Sequence, residues 1–231
     1  MLVAIDYSLN SPAMTVFKNG EYHFFNFYQD SKLREPSDFK KDNIDYAEFL
    51  HINNFHVIPF NRKALTVKEY SEKEIAKLED ALNLQSIIAA QVTKLGTPLF
   101  TAFEGYSYGS KGNSALDLAA GVALLRSRMY MITDKNIKIY SPSTIKKLAG
   151  KGNANKMYMV EAFLDNKLDD QFLANNSFWK WSQYKYNRDL YFKDKDTIRK
   201  PFDDIIDSYW IMQKLISEIK SQEPETKSLI K

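Results

Sequence analysis

The order of the elements predicted along this sequence indicates an α/β protein built on one mixed sheet. Three short apolar segments lie close together near the start of the chain, and further apolar segments then alternate with stretches of helical periodicity. The dipeptide Asn19-Gly20 separates the second and third of these segments, and it favours the tight turn of an antiparallel hairpin. We therefore predict a three-stranded antiparallel meander that is extended by parallel strands and flanked by helices.

Each predicted strand is an apolar segment bounded by turn residues. The predicted strands are residues 2–7, 13–18, 21–28, 99–104 and 137–141. Residues 29–68 lose this periodicity and carry mixed charge, whereas residues 169–200 are irregular, aromatic and basic. We interpret both stretches as insertions in a single domain that spans residues 1–231.

Five segments have the apolar spacing of helices. They are residues 71–95, 114–133, 142–150, 153–168 and 202–221. A capping box over residues 71–74 predicts the start of the first helix, and Gly96 predicts its end. Residues 114–133 are apolar on most sides, so we expect that helix to be largely buried.

The composition excludes several classes of protein. With 44% hydrophobic and 26% charged residues, the chain has the balance of a soluble globular domain. It has no cysteine, which excludes disulfides and thiolate nucleophiles, and its three histidines all fall in the first quarter of the chain, which leaves no histidine triad. No segment resembles a signal peptide or a membrane span, so we expect a cytoplasmic protein, in a bacterium or in the host cell of a virus. The excess of lysine over arginine is typical of AT-rich genomes such as those of phages and low-GC bacteria.

Four acidic residues lie where a packed core does not require them. Asp6 ends the first predicted strand, Glu104 ends the fourth, and Asp204 and Asp207 lie one turn apart on the last predicted helix. A buried carboxylate is costly unless a positive group meets it, and carboxylates are ligands that Mg²⁺ and Mn²⁺ prefer. Because α/β sheets bind ligands at the carboxyl ends of their strands, these acids predict a two-metal site for phosphoryl transfer.

A simpler interpretation accounts for part of this set. Asp203 and Asp204 would both be favourable in the first turn of a helix because of the helix dipole. That interpretation does not explain Asp207, which follows Ile206 and precedes Tyr209-Trp210 on the apolar side of the same helix. The functional interpretation of the acids is therefore favoured.

Basic and aromatic residues suggest a polyanionic partner. Residues 135–156 contain six lysines and no acid, and polyanion binding requires such a local basic surface more than a high net charge. Tyr106 and Tyr108, in a glycine-rich loop after Glu104, could stack on unpaired bases. The alternatives are an ordinary solvated lysine surface and tyrosines that cover the edge of the core.

Taken in order, these residues resemble the RuvC-type Holliday junction resolvases of the RNase H-like superfamily. The resemblance covers about two thirds of the chain and rests on an ordered set of segments, none of which is specific alone. The segments are residues 3–6, Glu104 with Tyr106 and Tyr108, and residues 114–122, 140–146, 150–156 and 201–207. The chain departs from the family at Tyr7-Ser8-Leu9, where the family has glycine-rich residues, and in the length of the two insertions.

The resemblance implies an RNase H-like fold and a metal-dependent, structure-selective endonuclease that resolves four-way DNA junctions by paired phosphodiester hydrolysis. It implies that Asp6, Glu104, Asp204 and Asp207 hold Mg²⁺, for which Mn²⁺ can substitute. It also implies that Lys146 and Lys156 lie beside the scissile phosphate, where an ammonium group stabilises developing charge. The residues expected to contact branched double-stranded DNA are Tyr106, Tyr108, Lys111, Asn113, Lys147, Lys151 and Asn153.

A homodimer is the expected assembly. A four-way junction has two-fold symmetry, and a chain with one acidic cluster supplies one cut, so two chains related by a two-fold axis match the substrate. The helix of residues 114–133 is the candidate interface, because the resembling family dimerises through its counterpart. The alternative is that this helix is buried inside one chain.

Two other functions remain open at the level of sequence. An RNase H-like nuclease could act on other branched DNA, on RNA–DNA hybrids or on DNA during packaging, and only a substrate panel separates these activities. A non-catalytic nucleic-acid-binding module would have no reason to keep four acids, and it would not bind a divalent metal through them. An actin-like ATP-binding fold also begins with a strand that ends in aspartate, but it requires two such halves and a longer chain.

Overall fold

A six-stranded mixed sheet forms the centre of the molecule and confirms the predicted fold class. The computed structural model describes residues 1–29, 55–106, 113–164, 192–194 and 197–221. The strands of the sheet are β1 (Leu2–Asp6), β2 (Ala13–Lys18), β3 (Glu21–Gln29), β4 (Phe55–Phe60), β5 (Phe100–Glu104) and β6 (Ile137–Tyr140). Their order across the sheet is β4-β3-β2-β1-β5-β6. A separate short ladder pairs β7 (Phe192–Asp194) with β8 (Thr197–Ile198).

The strand directions are those that the sequence predicts. The first three strands form the antiparallel meander, whereas β5 runs parallel to β1, and β6 runs parallel to β5. Asn19 and Gly20 adopt positive φ angles of 53° and 81° at the hairpin, as a tight turn between antiparallel strands requires.

Helices cover both faces of the sheet. They are α1 (Tyr70–Leu95), α2 (Asn113–Ile132), α3 (Pro142–Leu148), α4 (Lys156–Leu164) and α5 (Phe202–Ser221). Side chains of β1 alternate between two cores, with Leu2 and Ala4 packed in the core of α5, and Val3 and Ile5 packed in the core of α1 and α2. Among the described helices, none is long and apolar enough to cross a membrane.

The strand β4 corrects the interpretation of residues 29–68 as irregular. Residues 55–60 pair in parallel with β3, from Phe24 opposite Phe55 to Gln29 opposite Phe60. Pro59 within this segment argues against a strand, because proline cannot donate to a ladder; it is tolerated here because β4 lies at the edge of the sheet. Residues 30–54 lie outside the described ranges, as do residues 165–191 of the region that contains the second predicted insertion.

Two further expectations about helices were wrong in detail. The cap of α1 is Glu69 rather than Ser71, because the Glu69 side chain accepts a hydrogen bond of 2.7 Å from the backbone N–H of Glu72. The helix α2 is not largely buried: Leu116 and Met131 are 72% and 74% exposed. Its buried face packs into the core, and the apolar residues on its other side face outward.

Candidate active site

Asp6 and Glu104 lie side by side at the carboxyl ends of two neighbouring strands. β1 and β5 are parallel and adjacent, with Ala4 directly opposite Ala102. Both alanines belong to the core beneath α5. Because side chains two residues apart on a strand share a face, the carboxyl groups of Asp6 and Glu104 point toward that same side of the sheet.

The helix α5 brings three aspartates to the same place. It packs across β1 and β2, and it begins directly after Pro201, whose carbonyl accepts a hydrogen bond of 3.2 Å from the backbone N–H of Asp204. Asp207 follows Asp203 by four residues and Asp204 by three. All three side chains therefore lie on one side of the helix. Three segments that are distant in sequence therefore meet at one acidic cluster, defined here as Asp6, Glu104, Asp203, Asp204 and Asp207.

Two lysines lie among the aspartates of the cluster. The ammonium nitrogen of Lys156 is 3.0 Å from Asp207, 3.2 Å from Asp203 and 3.8 Å from Asp204. That of Lys200 is 2.9 Å from an oxygen of Asp203 and 2.9 Å from both oxygens of Asp204. In the absence of a bound ion, these two ammonium groups compensate the negative charges of the aspartates on α5.

The pKa values of the acids are raised first by burial and then by the charges of neighbouring acids. Burial and then the charge of Asp207 raise the pKa of Asp6 well above its usual range. Burial and the same neighbour raise the pKa of Glu104 to about 7. Burial raises the pKa of Asp207 to about 6, although Lys156 opposes the shift. Carboxylates that repel one another in this way favour the binding of a cation or of protons.

The donor chemistry of the cluster fits a divalent cation with a preference for oxygen. Among the described residues, no side chain donates a hydrogen bond to the carboxyl groups of Asp6 and Glu104, and no cation is ion-paired with them. These groups thus remain available as hard oxygen ligands. In the described part of the chain no three acidic or histidine side chains are arranged around one ion position. The ammonium groups of Lys156 and Lys200 lie between the aspartates.

The predicted phosphate-binding lysines fall into two groups. Lys146, on α3, is close enough to Glu104 for its charge to lower the pKa of that carboxyl, and Lys156 contacts the aspartates directly. Lys147, Lys151 and Asn153 are exposed on and after α3. The Lys151 ammonium group lies 4.5 Å from the ring centroid of Tyr158. The structure thus brings Lys146 and Lys156 to the acids, and the other three form a neighbouring surface.

A cleft of about 450 Å³ opens beside the carboxyl ends of β1 and β5, along α2. The guanidinium group of Arg126 lies over the rings of Phe103 and Tyr106, at 5.6 and 4.7 Å from their centroids. It also donates a hydrogen bond of 2.6 Å to the backbone carbonyl of Glu104. Tyr106 is therefore held at the mouth of this cleft, with 47% of its surface exposed. Tyr108 and Lys111 lie outside the described residues, and Asn113 is the first residue of α2.

Four residues of the site were not predicted from the sequence. The i, i+4 spacing of Lys200 and Asp204 is a signal that could have identified that lysine. Asp203 was assigned to the helix dipole, although it contacts both lysines. Arg126 lies on α2, where only packing was expected. The hydroxyl of Ser11 donates a hydrogen bond of 2.6 Å to Asp204, 193 residues away, and no local pattern reveals such a contact.

Comparisons with known proteins give the following result. No protein-family model and no curated protein matches this sequence. Among solved structures, the fold is similar to Thermus thermophilus RuvC, with a TM-score of 0.47 and 10% identity over 94% of this chain and 95% of that one. It is also similar to T. thermophilus RuvC in complex with a Holliday junction substrate, with a TM-score of 0.41 and 12% identity over 94% and 96% of the two chains. The yeast mitochondrial Holliday junction resolvase Ydc2 gives a TM-score of 0.45 and 12% identity over 99% and 83% of the two chains.

These solved structures belong to the group of proteins that the sequence resembles. The likeness concerns the fold alone, at low identity. The function is therefore inferred from the acidic cluster and its surroundings.

Proposed function

We propose that this protein is a metal-dependent endonuclease that acts on branched DNA, and specifically on four-way junctions. The observation that carries the proposal is the acidic cluster, in which Asp6 and Glu104 from the sheet meet three aspartates of α5. A stable fold does not require mutually repelling, half-buried carboxylates, because each raises the free energy of the folded chain when it is ionised. Their convergence is explained by a positively charged ligand.

The residues that would hold Mg²⁺, or Mn²⁺ in its place, are Asp6, Glu104, Asp207 and Asp204. When bound, such ions activate water and stabilise the charge of a departing 3′ oxygen. Asp6 and Glu104 are the ligands that need no rearrangement, because their carboxyl groups are free of donors within the described ranges. Asp207 becomes available when Lys156 moves from its position at 3.0 Å.

The lysines of the site would then act on the DNA. The Lys156 side chain is 40% exposed, so its ammonium group can turn from the aspartates toward a phosphate once a metal ion compensates the acids. Lys146 approaches from α3 on the side of Glu104. Both groups would stabilise negative charge that develops on the scissile phosphate. The surface that would contact the DNA backbone continues beyond these two lysines. It is formed by Lys147, Lys151 and Asn153.

The surface of α2 supports the proposal of a homodimer. Six of its exposed positions recur at intervals of three or four residues and so form one stripe along the helix. The stripe consists of Leu116, Ala120, Ala123, Ser127, Tyr130 and Met131. The small residues in the middle would allow two copies of α2 to approach closely, and the larger apolar residues at the ends would be buried between them. Two such chains would present two acidic clusters to a two-fold symmetric junction.

The proposal is tested with a synthetic four-way junction in Mg²⁺. The wild-type chain is expected to cut it at symmetric positions, and Asp207→Asn is expected to lower the cleavage rate by more than about a hundredfold. Binding of the junction should be retained or become tighter in this variant, because a repelling charge is removed. Denaturing gels measure the cuts and gel-shift titrations measure the binding.

Asp117→Asn is the matched control for this experiment. Asp117 is also paired with a lysine on a helix, and its side chain is 25% exposed against 24% for Asp207. It is ion-paired with Lys77 of α1 and not with a lysine of the acidic cluster, so this variant should cut at the wild-type rate. If the chain cuts an RNA–DNA hybrid or a flap and leaves the four-way junction intact, the proposed substrate would be that nucleic acid and not the junction. No cleavage and no binding of Mn²⁺ would contradict the nuclease proposal itself.

A further inference from the structure

A buried chain of hydrogen bonds connects the sheet to one acid of the cluster. The hydroxyl of Ser11 donates to Oδ2 of Asp204 at 2.6 Å. Ser11 in turn accepts from the side-chain amide of Asn26 at 3.0 Å. Ser11 is 7% exposed and Asn26 is fully buried, so neither group exchanges this contact for water.

The backbone around Ser11 is held on both sides. Its N–H donates to the hydroxyl of Ser8 at 3.0 Å, and the next residue, Pro12, accepts a hydrogen bond of 2.9 Å from the backbone of Phe27. The amide of Asn26 also reaches the carbonyl of Pro12, at 3.4 Å. The hydroxyl of Ser11 therefore has a fixed position relative to β1, which ends in Asp6.

The two lysines of the site contact Asp204 in a different way. Lys200 and Lys156 reach its carboxyl group from side chains that are 46% and 40% exposed. Such side chains can swing into solvent when another cation arrives. Ser11 and Asn26 cannot do so, because both side chains are buried, Ser11 just before β2 and Asn26 within β3.

We propose that Ser11 and Asn26 are positioning residues that hold the Asp204 carboxylate in the orientation in which it receives a divalent metal ion. Ser11 holds Oδ2 from the protein side, and the cation would take Oδ1, which Lys200 and Lys156 contact in the chain alone. Asn26 fixes the direction of the hydroxyl by donating to its oxygen, so that the hydroxyl proton points to Asp204. The inference rests on the proposed metal-dependent function of the same site.

The test is a titration of the chain with Mn²⁺ by calorimetry in the absence of DNA. Ser11→Ala is expected to weaken Mn²⁺ binding by about tenfold, the usual effect of removing a group that orients a metal ligand. Ser11→Thr, which keeps the hydroxyl, should restore binding. Asn26→Leu should weaken binding less than Ser11→Ala, since it removes only the group that directs the hydroxyl. With DNA present, kcat should fall in Ser11→Ala while KM for the junction stays unchanged.

A second hydroxyl pair in the same interface supplies the control. Thr15 of β2 and Ser208 of α5 lie 2.8 Å apart, and both are fully buried. Ser208→Ala removes a hydroxyl at the same junction of sheet and helix without touching the acids, so it should bind Mn²⁺ like the wild type. Thermal unfolding of every variant shows whether each one is folded at the temperature of the titration.

The outcomes separate the two proposals. If the wild-type chain binds Mn²⁺ and folded Ser11→Ala binds it equally well, the positioning role is overturned and the nuclease proposal stands. Equal losses in Ser11→Ala and Ser208→Ala would also overturn it, because the effect would then come from packing. A wild-type chain that binds no Mn²⁺ would overturn the metal-dependent function on which the inference rests.

Discussion

Tyr7 follows directly after Asp6, and its ring packs against the one glycine of α2. A Cβ added at Gly121 would overlap the hydroxyl and ring of Tyr7. Burial raises the pKa of that hydroxyl to about 12, which agrees with a ring enclosed by protein. The fit of one glycine to one ring therefore helps to set the end of β1, where the acidic cluster begins.

Gly121→Ala tests this contact. Alanine favours a helix by about 1 kcal/mol over glycine, but forcing a ring out of a packed site costs roughly 1–3 kcal/mol. We expect a net loss of stability and a lower cleavage rate, since Tyr7 directly follows Asp6 and a displaced Tyr7 would shift the end of β1. Chemical denaturation and junction cleavage measure the two effects. Ala90→Ser, at an exposed position of α1, should change neither. A more stable and fully active Gly121→Ala would show that the ring moves freely.

Residues that end an apolar segment could be identified from the sequence, whereas residues that act across the fold could not. Asp6 and Glu104 interrupt a simple pattern, so their position at the sheet edge followed from strand prediction alone. Ser11 and Arg126 are ordinary in their local context. Their contacts with Asp204 and with the Glu104 carbonyl arise only when distant segments pack together.

At the scale of elements, the periodicity of apolar residues predicted the helices and strands that bury one regular face. It failed to predict elements whose burial is irregular. The helix α5 has an apolar face that continues through its whole length, and its predicted bounds agree with the structure. β4 lacks alternation and contains Pro59, so its pairing with β3 is decided by the tertiary fold. For α2, composition gave the apolar character correctly but could not distinguish burial within one chain from an apolar surface.

The exposed stripe of α2 gives a prediction about assembly. Ala123 lies in the middle of that stripe, and Ala123→Arg would place a long charged side chain where two helices are expected to approach. The variant should be monomeric at micromolar concentration and should cut only one strand of a junction at a time. Light scattering and the ratio of nicked to fully resolved product measure these effects.

Ile75→Arg is the comparison for this variant. Ile75 is 58% exposed on α1, outside the stripe, so the same new charge there should leave the assembly unchanged. A wild-type chain that is monomeric with and without junction DNA would contradict the dimer and would favour an enzyme that makes single nicks.

At the scale of the whole molecule, the acidic cluster makes stability depend on pH. The folded state raises the pKa of Glu104 to about 7, above the ordinary value of about 4.3. Below that ordinary value the group is protonated in both folded and unfolded chains, so it costs nothing. As the pH rises from the ordinary value toward about 7, the unfolded chain ionises this group while the folded chain keeps it largely neutral. The free energy of unfolding therefore falls over this interval.

Glu104→Gln removes this cost. Without metal, the variant should be more stable than the wild type at pH 8, by about 1–3 kcal/mol, and equally stable near pH 4. Added Mn²⁺ should stabilise the wild type at pH 8 and the variant much less. Thermal and denaturant unfolding at both pH values measure this. Glu79→Gln, at an exposed ion pair with Lys63, should have little effect; a loss of stability in Glu104→Gln at pH 8 would contradict the repulsion.

The sequence distance between β1 and α5 has a consequence for the protein during its synthesis. Asp207 is made some two hundred residues after Asp6. The face of β1 that carries Leu2 and Ala4 is covered only when α5 packs on it. A nascent chain that stops short of α5 has neither a closed core nor a complete set of carboxylates. The closing of the core and the assembly of the acidic cluster are therefore one event in folding.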